Sequence, residues 1–139
     1  MDNYVDTGKV YLIHRDTPFS MHAYSRLAAQ YADAAARIGK FEKVEDVLFS
    51  KQDAWAQTGD VDGTVASVLT PAEMAKVRQM VKSGQVDAAI DTDVALGQSY
   101  RVTQTPTMII TCKGQTYPVV SAVSYSLLRQ FLDQLLSQK

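Results

Sequence analysis

Apolar residues recur along this chain with two different periods, and the order in which the periods change predicts the elements. Residues 9–14, Lys-Val-Tyr-Leu-Ile-His, are apolar on both sides of the alternation, the pattern of an interior strand. Just before them, Tyr4 to Thr7 followed by Gly8 has the composition of a helix tail closed by glycine. Arg15 to Phe19, with Pro18, reads as a loop. From Tyr24 the period lengthens: Tyr24, Leu27, Ala28, Tyr31, Ala35 and Ile38 fall on one helical face, with Ser20 as N-cap and Gly39 as the stop. A second helix opens at Phe41, turns Val44, Val47, Leu48 and Trp55 inward, and breaks at Thr58-Gly59-Asp60.

A short helix over residues 62–69 follows. Thr70-Pro71 then supplies an N-cap with proline at the first helical position, starting a helix that runs through Val81 and stops at Ser83-Gly84. Val86, Ala89, Ile90 and Val94 describe one more helix, ending near residues 97–100. The period then shortens again. Residues 107–112 are β-branched and apolar, Lys113-Gly114-Gln115 is turn chemistry, and residues 116–120 resume β character, which predicts a hairpin. Pro106 precedes the first strand and restricts Thr105 to extended geometry. Ser124 can cap a last helix over residues 125–136, with Leu128, Phe131, Leu132, Leu135 and Leu136 as its buried stripe.

The predicted order is strand, helical block of four or five helices, two strands, helix. No internal repeat, low-complexity tract or domain linker interrupts it. A chain of 139 residues suits one domain with a core of its own. Fifteen acidic residues nearly balance fourteen basic ones, which disfavours nucleic acid or an anionic membrane as partner. No apolar run approaches the roughly 20 residues of a membrane span. The first residues have neither a basic stretch nor an apolar one, so as it stands the sequence predicts a cytoplasmic product without a signal peptide.

The chemistry is bounded by one number: there is a single cysteine, Cys112, and hence neither an internal disulfide nor a Cys-x-x-Cys pair in this sequence. At the end of an apolar strand Cys112 reads as a small buried hydrophobe, its alternative role being an intermolecular disulfide. His14 and His22 lack the spacing and the companion carboxylates of a metal motif and read as polar residues at element ends. Asp87, Asp91 and Asp93 read as a solvated helix face and do not fit a calcium-binding loop. Tyr31, Phe41, Trp55, Met74 and Met80 stand at helical spacing and read as core. No phosphate-cradling glycine loop or nucleophile elbow occurs, and no cofactor is implied.

Several stretches resemble the DsbA-like thioredoxin-fold family of thiol–disulfide oxidoreductases. Thr105-Pro106-Thr107, the apolar strand after it, the Lys-Gly turn, the second strand and the closing helix look like that family's C-terminal half. Thr7-Gly-Lys-Val-Tyr-Leu-Ile-His-Arg-Asp-Thr-Pro18 resembles its second sheet strand and exit loop. Ala34 to Phe41, Leu48-Phe49 and Gln52-Asp-Ala-Trp55 resemble the start of its helical insertion. The resemblance implies an α/β, thioredoxin-like fold with an incomplete sheet: one domain over residues 1–139, in which residues 19–100 are the helical insertion and residues 1–18 and 101–139 carry the sheet elements. It also implies a cis peptide before Pro106 and a loop, Thr105 and Pro106, that presents backbone groups to an extended polypeptide, the alternative being a turn that only fixes the strand's entry angle. The family's first strand and Cys-x-x-Cys have no counterpart in this sequence. On that reading the chain is N-terminally truncated and redox-inactive by itself, and an upstream segment would make it an extracytoplasmic oxidoreductase. The alternative is a non-catalytic peptide-binding or assembly module that uses the hairpin edge.

In that family the absent strand lies between the counterparts of residues 10–14 and 107–112. Strands lie about 4.8 Å apart, so its loss would leave a gap of roughly 10 Å between unpaired edges. Three outcomes follow: the flanking strands close up, residues 1–7 fill the slot, or a second chain contributes a strand. The expectation favours closure or a homodimer paired through strand edges.

Overall fold

A computed structural model describes residues 3–138. It contains α1 (Ser25–Ala36), α2 (Phe41–Ser50), α3 (Gln52–Thr58), α4 (Val61–Ala66), α5 (Pro71–Lys82), α6 (Asp87–Ser99), β1 (Thr107–Cys112), β2 (Gln115–Val120) and α7 (Tyr125–Ser137). The architecture is α/β, with the incomplete sheet that the resemblance implies. The chain divides into two compact units, one of residues 15–98 and one of residues 1–14 with 99–139.

The helical unit is built around α1, whose alanines 28, 29, 32, 34 and 35 are buried and let α2, α4 and α5 pack closely against it. Val44, Val61, Val65, Val77, Val86 and Ile90 complete a core closed to water, with Tyr31, Trp55 and Met74 buried around it. Phe41 and Met80 pack against this core half-buried. Helix boundaries follow local chemistry. Thr70 and Glu73 form a capping box at the start of α5, with Pro71 at its first position. At Gly39, where φ is +70°, the Lys40 amide reaches the Ala35 carbonyl and the Gly39 amide that of Ala36, the Schellman closure that favours glycine.

Three expectations in this unit shift. Ser20 is not a cap: residues 19–24 make successive turns and α1 starts at Ser25, whose hydroxyl donates back to the carbonyls of Phe19 and His22. The helix expected from Phe41 through Trp55 is two helices, α2 and α3, broken at Lys51. The break frees the Leu48 carbonyl, which an unbroken helix would use internally, to accept a 2.7 Å bond from the buried Trp55 indole. The short helix covers Val61–Ala66, capped by the Asp60 carboxylate on the Gly63 amide at 2.8 Å.

In the other unit, β1 and β2 pair antiparallel from Thr107↔Val120 to Cys112↔Gln115. Lys113 and Gly114 both have positive φ, 50° and 79°, as a two-residue type I′ turn requires, so Gln115 belongs to the strand and not to the turn. The hairpin packs one face on α7: the Tyr117 and Phe131 rings meet edge to face at 5.5 Å, and Cys112 Sγ lies 3.9 Å from the Leu135 carbonyl. On α7, Leu135 is buried and Leu128, Phe131 and Leu132 half-buried, but Leu136 remains 46% exposed. Two strands are too narrow to cover the whole predicted stripe.

The predicted first strand is the main correction. Residues 9–14 belong to no strand, and the sheet among the described residues is the β1–β2 hairpin. Tyr11, Leu12 and Ile13 are exposed, Tyr11 to 87%, so the segment is not interior. Its apolar alternation carries β propensity, but a strand exists only when a neighbour takes its backbone bonds, and no described strand does. Nor do residues 3–7 fill the slot. They form a turn closed by Gly8, with the Lys9 and Val10 amides both on the Tyr4 carbonyl, while residues 1 and 2 lie outside the described residues. Tyr4 is itself fixed to α7 by its hydroxyl, 2.7 Å from Asp133 Oδ1 and 3.3 Å from the Arg129 carbonyl. The Asp133 hydrogen bond and burial raise the Tyr4 phenol above its ordinary pKa.

Candidate functional site: the loop before the hairpin

Thr105 and Pro106 occupy the loop that leads into β1, and the peptide between them is cis. Both residues are exposed. The loop is braced at several points. The Gln104 carbonyl accepts from the Thr107 hydroxyl at 2.7 Å, and the Gln104 side-chain Nε2 donates to the Ser121 hydroxyl at 2.5 Å. The Ser121 amide, in turn, donates to the Pro106 carbonyl at 2.9 Å.

Ser121 makes these bonds just past the end of β2, with a φ of 77°. A non-glycine residue there costs on the order of 1 kcal/mol. The Ser121 hydroxyl and amide both point at the loop and offset that strain. Gln104 and Ser121 are therefore the residues that sequence reading missed. They are 17 apart in sequence and neither sits in a motif, so only the closing of the hairpin brings them together.

Thr105 is exposed, and its backbone takes no hydrogen bond from the described residues. Its amide and carbonyl are the groups an extended polypeptide could pair with, and the fixed loop would spare that partner an ordering cost. Cys112, half-buried against α7, lies at the far end of β1 from this loop.

The other candidates have structural partners. Asp93 is not a freely solvated side chain: it accepts from Arg15 Nη1 at 2.8 Å and from the Asp16 amide at 3.1 Å, and is 13% exposed. Asp91 pairs with Arg26 at 2.8 Å, and Asp87 accepts from Gln30 at 2.7 Å. His14 and His22 join no group of three or more His, Cys, Asp or Glu side chains placed to hold a metal among the described residues. No described helix is long and apolar enough to cross a membrane.

A protein-family model described as thioredoxin matches residues 1–134. No curated protein and no solved structure matches the chain. The family match spans nearly the whole sequence, and the chain belongs to the thioredoxin family.

Proposed function

We propose that this member of the thioredoxin family is a DsbA-like scaffold that supplies the polypeptide-binding part of a thiol–disulfide oxidoreductase and performs no dithiol exchange by itself. The observation that carries the proposal is the braced, exposed Thr105–Pro106 loop leading into β1. Thr105 offers backbone pairing, and Pro106 restricts it to the extended geometry that pairing uses.

The chemistry of sulfur exchange limits what these residues can do. A thiolate attacks a substrate disulfide, expels one sulfur as a thiol and becomes bonded to the other. A second thiol must then attack that mixed disulfide to release the reduced product. With Cys112 alone the sequence can reach the first state, but the second thiol must then come from another molecule. Intramolecular dithiol exchange requires a pair of cysteines that these 139 residues do not hold.

Insulin reduction in the presence of a chemical reductant tests the proposal. The polypeptide should run at the rate of buffer, and a Cys112→Ala variant should be indistinguishable from it. Turnover above buffer that disappears in Cys112→Ala would refute the redox-silent reading. Peptide binding is read separately, by amide shifts of Thr103 to Thr107 and Ser121 on titration with an unfolded, cysteine-free polypeptide. The second reading, a non-catalytic peptide-binding module, is favoured by the outer edge of β1, which no strand among the described residues pairs with. It predicts that shifts extend along β1.

A further inference from the structure

The two outer edges of the hairpin are not equivalent. In a two-residue hairpin the residues flanking the turn exchange both backbone bonds, and bonded pairs alternate from there. The phase is confirmed at the far end, where the Ser121 amide bonds the Pro106 carbonyl. Met108, Ile110 and Cys112 therefore spend their backbone groups on β2, and Thr107, Ile109 and Thr111 turn theirs outward. On β2 the outward set is Thr116, Pro118 and Val120. Pro118 has no N–H, so that edge is blunted at its centre, one of the usual protections against edge pairing. The β1 edge has no such protection: its strand contains neither proline nor a charged residue. No described residue outside the hairpin bonds the backbone of Thr107, Ile109 or Thr111.

This edge also reads the same in both directions. Thr107, Ile109 and Thr111 form a palindrome about Ile109. Two copies placed antiparallel set Ile109 against Ile109, and Thr107 against Thr111 of the second copy. Each of these pairs exchanges both of its backbone bonds. Threonine pairs and β-branched pairs are favourable cross-strand neighbours. Charge does not oppose the register, because residues 102–112 carry none and each Lys113 falls opposite Thr105 of the other copy. An isologous, two-fold contact needs this kind of self-complementarity.

We infer that the chain homodimerises through the outer edge of β1, two hairpins joining into one antiparallel sheet with Ile109 on the two-fold axis. The occupant is a second copy of this chain. The inference is independent of thiol chemistry, and it assigns to self-association the edge that a bound polypeptide would otherwise extend along.

A charge exchange in the predicted register tests it. Sedimentation equilibrium of the full chain should show a concentration-dependent dimer. In the double variant T107K/T111K each lysine faces a lysine of the other copy, and the dissociation constant should rise about tenfold. In T107E/T111K every glutamate faces a lysine, and the dimer should return to within about threefold of the parent. Amide exchange on the unmodified chain adds a measurement that needs no variant. Protection of Thr107, Ile109 and Thr111 should rise with protein concentration, while Met108, Ile110 and Cys112 stay protected throughout. A parent that remains monomeric up to about 1 mM overturns the inference. So does a dimer indifferent to T107K/T111K, or edge protection that appears only when an unfolded polypeptide is added. Failure of the insulin or peptide experiments leaves these readouts untouched.

Discussion

Replacing Tyr31 by phenylalanine tests whether the helical unit is fixed by a polar contact as well as by its apolar core. Tyr31 on α1 is buried, and its hydroxyl donates to Asp62 Oδ1 at 2.5 Å. Arg78 on α5 grips the same carboxylate with two bonds of 2.8 and 2.6 Å, so one aspartate on α4 ties three helices together. Phenylalanine keeps the buried ring and deletes only the hydroxyl. A hydrogen bond to a charged partner contributes about 1.5–3 kcal/mol. The Asp62 side chain is 42% exposed, so solvent screening reduces this to about 1–2 kcal/mol. With a urea m-value of about 2 kcal/mol/M, the unfolding midpoint should fall by about 0.5–1 M. Trp55, the single tryptophan of the chain, lies buried in the same core and reports the transition by fluorescence.

The pH profile separates this bond from general repacking. The hydrogen bonds from Arg78 hold the Asp62 carboxyl below its ordinary value, and burial with the Asp62 bond raises the Tyr31 phenol above its own. A depressed carboxylate contributes stability above its unfolded pKa of about 3.9 and loses it as pH falls through the folded value. A raised phenol contributes below about pH 10 and loses its contribution as pH rises beyond. The gap between parent and Tyr31→Phe should therefore be level from about pH 5 to 9 and narrow at both extremes. Combined with Asp62→Asn, the double-mutant cycle should show a coupling of about 1 kcal/mol. A coupling within about 0.3 kcal/mol of zero, or a Tyr31→Phe protein as stable as the parent, would refute the reasoning.

Two further substitutions probe other parts of the structure. Thr70→Ala removes the cap of α5 and should cost about 1 kcal/mol in urea unfolding, with Thr70→Ser largely restoring it. The Thr70 amide, Lys40 and the Thr70 hydroxyl hold Glu73 down to about 2, so the contribution of the capping box should persist above pH 4.5 and fade as pH drops toward 2. Ile90→Ala, at a side chain 1% exposed, should cost about 2–5 kcal/mol, while Leu136→Ala, at 46% exposure, should cost well under 1 kcal/mol by the same measurement.

Local chemistry was legible where it acts over a few residues. Thr70-Pro71 with Glu73, Gly39 and Gly84 marked helix ends, because capping and glycine conformation are decided within one turn of chain. Lys113-Gly114 marked the hairpin for the same reason, and the count of one cysteine bounded the redox chemistry without any structure. Tertiary structure decided what depends on a distant neighbour. Residues 9–14 have the composition of a strand and are not one, since pairing is a property of two segments and only one of them is written there. The Gln104–Ser121 brace, the ion pair of Asp93 with Arg15, and the junction of Tyr31, Asp62 and Arg78 likewise join residues far apart in sequence. Periodicity says which face of an element is apolar, but backbone and side-chain partners from elsewhere in the chain are chosen only when the chain closes on itself.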